Sequence, residues 1–178
     1  MLRQARPEDL AAITALMNEN IRNSTAVYHY EERRLEDVTR WYDDKQRRKH
    51  PLFVAEEAGV FLGYGTFGPY RPHDGYARTV EHSVYVDKNH QGKGVGGALL
   101  EALIEAAQRD GYHAMVAYID AENQQSIRLH ERKGFQNCGR LREVGYKFGR
   151  YLDLVIMERL LLEEKTGKGN REEPCSQG

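Results

Sequence analysis

Residues 79–107 read TVEHSVYV, DKNHQGKGVGG, ALLEALIEAA, and the period of the apolar residues changes partway along them. Val80, Val84 and Val86 alternate with Glu81, Ser83 and Tyr85, the period of two that a strand requires. Val95, Leu99, Ala102, Leu103 and Ala106 then recur three or four apart, so a helix is expected to lay one stripe on a sheet. Between strand and helix stand Gly92, Gly94, Gly96 and Gly97, four glycines in six residues. That density allows positive φ and a ligand close to the backbone. The first turn of the following helix leaves N–H groups unpaired and carries partial positive charge, so the loop is expected to hold an anion, phosphate foremost.

The phosphate ligand has to be chosen among several. GKGVGG satisfies the dinucleotide fingerprint GxGxxG, and Asp120, closing the run HAMVAYI, falls near the place of a ribose-binding acid. Against a dinucleotide, five residues from Asp87 to Gln91 separate Val86 from Gly92, where the fingerprint begins at the strand's end. The motif also comes too late to leave chain for the second half of a doubly wound sheet. A Walker A loop is excluded because no GKS or GKT follows a glycine at the required spacing.

Gln91-Gly92-Lys93-Gly94-Val95-Gly96, between a Val-rich strand and an amphipathic helix, resembles the Q-x-x-G-x-G/A pyrophosphate loop of the GCN5-related N-acetyltransferase (GNAT) superfamily. The segment Asn123 to Phe135, NQQSIRLHERKGF, resembles the same superfamily's N-x-x-[SA]-x-x-[LF]-[YH]-E-x-x-GF run. Asn23 to Tyr28 (NSTAVY), TVEHSVYV and VGYKFGRYLDL narrow the resemblance to the phosphinothricin and methionine sulfoximine acetyltransferase branch. The resemblance implies an α+β acyl-CoA N-acyltransferase fold, a mixed central sheet of about seven strands flanked by about four helices. It implies acetyl-CoA as cosubstrate, held by the strand at Val84, Tyr85 and Val86, by the loop from Gln91 and Gly92 through Lys93, Gly94, Val95, Gly96 and Gly97, and by Asn123 and Ser126. It further implies a strand after the first helix of this unit that diverges from the central strand, Glu81 as general base, His130 in the place of a proton-returning tyrosine, and a homodimer.

The acceptor is expected among Thr25, Arg71, Pro72, His73, Arg78, Glu81, His82 and Ser83. Residues 70–78 place two arginines just before the central strand, and a planar guanidinium suits a carboxylate. In the branch a basic residue stands at Arg71, whereas Arg78 is inferred from placement alone. A carboxylate at 81 among apolar neighbours has a raised pKa suited to base work. The expected reaction is acetylation of the α-amine of a small amino-acid analogue. A protein amino terminus fits less well because loop 70–78 fills the entrance with bulky side chains. Polyamines and aminoglycosides fit less well for want of an acidic cluster. A non-catalytic CoA-binding module would not need Glu81, Asn123 and His130 together.

The remaining chain fills in around this unit. Leu2 to Arg6 is expected as a first strand, followed by a helix opened by Pro7 and buried through Leu10, Ile13, Leu16, Met17 and Ile21. A second helical stripe is Leu35, Val38, Trp41, Tyr42, and strands 52–57 and 60–70 form a hairpin at Ala58-Gly59, with Gly63 and Gly65 marking a bulge or a close neighbour. Asp110-Gly111 stops the central helix before a strand over 113–119, and Gly134 ends a helix over 123–133. Strands 135–142 and 152–160 come last, joined by VGYKFGRY folded over the acceptor site or a dimer contact.

One domain, 1–162, is expected from 178 residues, with 163–178 a polar, disordered tail. The net charge of −1 provides no field for nucleic acid or anionic lipid, and no apolar run has membrane-spanning length. Without a signal-peptide pattern the chain is expected in the cytoplasm. Cys138 and Cys175 form no CxxC pair, and seven histidines form no HExxH or i, i+4 pair, so neither disulfide nor metal is expected.

Overall fold

A computed structural model describes residues 1–161. In chain order it contains β1 (Leu2–Gln4), α1 (Leu10–Asn23), α2 (Leu35–Arg47), β2 (Leu52–Glu57), β3 (Val60–Pro69) and β4 (Thr79–Val86), then α3 (Val95–Arg109), β5 (Ala114–Asp120), α4 (Gln124–Arg132), β6 (Gln136–Lys147) and β7 (Arg150–Leu160). The seven strands form one sheet in the order β1-β2-β3-β4-β5-β7-β6. Only β4 and β5 run parallel, as the connection through α3 demands. The α+β expectation, seven strands with four helices, describes this sheet.

Each face has its own core. Leu100, Leu103 and Ile104 of α3 are fully buried against Val80, Met115 and Met157. On the opposite face Ile13 and Leu16 of α1 and Val38 of α2 cover Val54 and Tyr64. Side chains of this size contribute roughly 1.5–3 kcal/mol each when fully buried, so the two layers fix the sheet from both sides. At Gly65 a Cβ would lie 3.1 Å from Leu103 Cδ1, and at Gly63 one would lie 2.4 Å from the carbonyl oxygen of Tyr85. The glycines in β3 therefore answer to close neighbours, α3 at one and the β4 backbone at the other.

The sheet opens between its two parallel strands. Pairing of β4 with β5 stops at Glu81↔Val116, although β4 continues to Val86 against β3 and β5 continues to Asp120 against β7. The edges of Val84 and Val86 are left facing a gap. This is the divergence that the family resemblance implied.

The last hairpin departs from the sequence expectation. VGYKFGRY is not a connection between shorter strands: β6 runs through Lys147, β7 begins at Arg150, and the turn is Phe148-Gly149, with φ of 52° and 75°. A bulge hides the strand. The register slips between Leu141 and Gly145, and Glu143 adopts φ 54°, so the alternation of apolar residues is broken although the ladder resumes at Gly145↔Leu152. The expected tail, 163–178, lies outside the described residues.

Candidate active site

Glycine is required by conformation at the start of α3. Gly92 has φ 75° and Gly94, at the helix N-cap, has φ 85°, with no atom within 4 Å of a built Cβ at either. These turns aim the first N–H groups of α3 outward, next to Val86 and the gap. Gln91 donates from its amide to the Val86 carbonyl at 3.3 Å, tying the loop to the strand end. Across the gap, Asn123 caps α4 by accepting the Ser126 N–H at 3.0 Å. The result is a groove of about 400 Å³ lined by the β4 edge, the glycine loop, the β5 edge and the start of α4. Exposed peptide donors at one end and unpaired strand edges along its length fit a phosphate with a long amide-bearing arm. Gln91, Gly92, Gly94, Gly96, Gly97, Val84, Val86, Asn123 and Ser126 all line it.

Strand alternation separates two chemistries on β4. Glu81, Ser83 and Tyr85 point toward α1 and α2 and line a second cavity of about 450 Å³. Ser83 and Tyr85 line both cavities, so the two voids meet along β4. Glu81 is half-buried, and burial pushes its carboxyl above the usual carboxylate range, Arg71 pulling it part of the way back. Arg71 is exposed and lines neither cavity, but its guanidinium lies 4.9 Å from the centre of the Tyr70 ring and donates at 3.3 Å to the hydroxyl of Tyr118, which lines the groove. Tyr70 and Tyr118 hydroxyls are 3.0 Å apart. Burial, then the Tyr70 bond, pushes the Tyr118 phenol up to about 12, so it stays a neutral donor in the mouth of the gap.

His82 falls on the other face from Glu81 and lines the groove instead, which corrects its placement among acceptor-binding residues. Its ring stacks on His130 at 5.1 Å, with Nε2 to Nε2 3.2 Å. His130 Nδ1 lies 2.7 Å from the Ser126 carbonyl, so Nδ1 carries the proton and Nε2 faces His82. Burial without a carboxylate lowers both rings, His82 to about 3. Burial disfavours the charged His130 ring and so works against its expected use as the proton-returning group. The pH profile of kcat/KM should therefore rise with ionisation of Glu81 and show no fall from about pH 6 to about pH 7.5; a descending limb there would restore the cationic histidine.

Other expected residues lie elsewhere. Arg78 is exposed and lines neither cavity; its carbonyl accepts from His113 and Ala114 where β5 begins. Thr25, Pro72 and His73 also line neither cavity, Lys93 is exposed at the loop tip, and Val95 packs with Leu99 in the core. Residues that the sequence reading missed are Tyr118 and Lys45. Lys45 stands seven residues after Val38 and four after Trp41, on the buried stripe of α2, which was the available signal.

Residues 2–156 match the family model described as an acetyltransferase (GNAT) domain. The chain is a GNAT acetyltransferase. Among relatives of this acetyltransferase, the L-methionine sulfoximine/L-methionine sulfone acetyltransferase of Pseudomonas aeruginosa is 44% identical over 158 residues, 88% of this chain and 92% of the relative. The phosphinothricin N-acetyltransferase of Streptomyces viridochromogenes is 35% identical over 89% of this chain and 86% of its own. A putative acetyltransferase from Salmonella typhimurium, solved with its cofactor acetyl-CoA, superposes with a TM-score of 0.90 at 43% identity, covering 93% of this chain and 95% of that one. The GNAT expectation and its branch are thus borne out by relatives that are themselves acetyltransferases of amino-acid analogues. Among the described residues no helix is long and apolar enough to cross a membrane.

Proposed function

We propose that this acetyltransferase moves the acetyl group of acetyl-CoA to the α-amine of a small amino-acid analogue of the methionine sulfoximine, methionine sulfone or phosphinothricin type. The observation that carries this reading is the position of Glu81, on the strand where a groove suited to acetyl-CoA meets a cavity of amino-acid size. Acetyl-CoA would supply the thioester carbonyl: as the amine's C–N bond forms the C–S bond breaks, and CoA leaves as a thiolate that takes up the second proton shed by the new amide nitrogen. Glu81 accepts the proton of the ammonium that an α-amino group carries at neutral pH, directly or through a water. The Val84 N–H, on the unpaired edge of β4, faces the oxygen on which negative charge develops. Arg71, which contacts Tyr70 and Tyr118, takes the acceptor's carboxylate and converts an encounter into a positioned approach.

The reading extends to a homodimer in the cytoplasm. Val144, Tyr146, Phe148 and Tyr151 on the β6–β7 hairpin are half or more exposed, a row of apolar side chains that a second copy would cover. The test is thiol release from acetyl-CoA by purified protein with methionine sulfone, methionine sulfoximine, phosphinothricin, spermidine and an alanyl peptide. Release with the first three and not the last two is expected. Release only with the peptide would replace the small acceptor by a protein amino terminus.

A further inference from the structure

The cavity beside Glu81 contains a cation with no salt-bridge partner among the described residues. Lys45 of α2 is 7% exposed, yet Nζ makes one hydrogen bond, to the Phe67 carbonyl at 2.8 Å, and lies 5.3 Å from the centre of the Trp41 ring. An ammonium has three N–H donors, so on this cavity-lining side chain two have no oxygen acceptor among the described residues. Burial lowers its pKa to about 8, opposed only in part by Asp44, which is the signature of a cation lacking a close anion. Nζ also lies 3.6 Å from where a Cβ on Gly68 would stand, and Gly68 is the residue paired with Glu81 across β3 and β4. Strands are spaced about 4.8 Å apart, so the ammonium stands roughly one strand beyond the base, within the reach of an amino-acid side chain. Val38, Trp41, Tyr64 and Phe67 wall the space between with apolar surface suited to methylenes.

We infer that Lys45 recognises the side-chain head of the acceptor, donating to the oxygens of a sulfone, sulfoximine or phosphinate carried about two methylenes from the α-carbon. The inference rests on the proposed acetylation of amino acids. It divides the acceptor among three groups: the carboxylate at Arg71, the amine at Glu81, the head at Lys45. A plain thioether or alkyl head gives the two spare N–H groups nothing to bind and leaves the charge buried, so discrimination comes from a polar group left unpaired. The other ionisable groups facing the cavity are His29, Arg33 and Asp37 at its mouth, Glu81, and the phenols of Tyr64 and Tyr85; outside it the neighbours are the Asp44 carboxylate and His50, whose ring burial holds below the usual histidine range.

Calorimetric titration of the full chain loaded with CoA tests this, using methionine sulfone, phosphinothricin and norleucine. Wild type is expected to bind the two oxygen-bearing ligands more tightly than norleucine. Lys45→Met should weaken those two by roughly tenfold to a hundredfold and norleucine by less than about threefold, while Lys45→Arg retains the preference. Equal weakening of all three ligands, or none, overturns the assignment. If Lys45→Met does not melt cooperatively, the titration of the Lys45 ammonium in wild type, followed by NMR, decides: phosphinothricin should raise its pKa and norleucine should not, and an unmoved titration overturns the assignment. Sulfone binding lost in Lys45→Met but without thiol release in wild type removes the proposed transfer and leaves this role standing. Thiol release with an acceptor preference unchanged in Lys45→Met does the reverse.

Discussion

Glu81→Gln is expected to lower turnover by roughly a hundredfold or more while acetyl-CoA still raises the melting temperature as it does in wild type. Glutamine keeps the shape and removes the base, so the loss falls on proton removal from the acceptor ammonium. Stability should move the other way. Burial raises the folded-state pKa of Glu81 above its unfolded value, so the folded protein binds this proton more tightly. Stability from this group is therefore complete below the unfolded pKa and is lost as pH rises through the folded one. At neutral pH the ionised carboxylate costs stability, and the variant should melt above wild type there and level with it in acid. A variant that kept full turnover would remove Glu81 from its role. One that lost turnover and melted lower would point to a structural carboxylate.

The sequence was most legible where local rules decide. The change of period at residues 79–107, the positive-φ glycines at 92 and 94, and Gly111 closing α3 all follow from chain-local sterics, and the structure places them as read. Legibility failed where a residue's meaning depends on a distant strand. Tyr118 lies on the Glu81 face only because Glu81 pairs with Val116, a register that no local pattern encodes. His130 illustrates a different limit. An ordinary imidazole suits an acid, but burial holds the His130 ring below the usual histidine range, and neither that burial nor the contact with His82 Nε2 at 3.2 Å is visible from 48 residues away. At Lys45 the period of α2 already put a lysine on a buried stripe; what the sequence could not provide was the space opposite it. The bulge at Glu143 hid five residues of β6, because one αL residue shifts the alternation on which strand reading depends.

Lys147→Met should be the most damaging substitution distant from the proton transfer. Lys147, at the end of β6 and 2% exposed, donates from Nζ to the carbonyls of Ser24 and Val27, both at 2.6 Å, and reaches that of Asn20 at 3.5 Å. Asn20 lies in the last turn of α1 and its carbonyl already accepts the Ser24 N–H at 3.1 Å, so the ammonium adds a longer contact at the negative end of the helix and ties the following loop through Ser24 and Val27. The same hairpin gives that loop its seat. Tyr30 donates to the Tyr146 carbonyl, and a Cβ at Gly145 would stand 2.5 Å from the Tyr28 ring. Ala26 of the tethered loop lines the coenzyme groove, and Val27 and His29 line the acceptor cavity. Methionine fills the volume but takes the Nζ donor from the Ser24 and Val27 carbonyls. At about 1–3 kcal/mol for a buried group left unpaired, and with partial relaxation, the net loss should be about 2–4 kcal/mol. In a domain of this length that corresponds to a fall in Tm of roughly 5–15 °C. Acceptor KM should rise by at least about tenfold, since the loop is the cavity's outer wall, whereas the acetyl-CoA affinity, set by β4 and the glycine loop, should change by less than about threefold. Steady-state kinetics with each substrate varied in turn, together with a melt, measure all three quantities. A parallel loss of both affinities would show that Lys147 supports the sheet as a whole. Unchanged stability and KM would show that water satisfies the carbonyls and that the hairpin does not brace the acceptor loop.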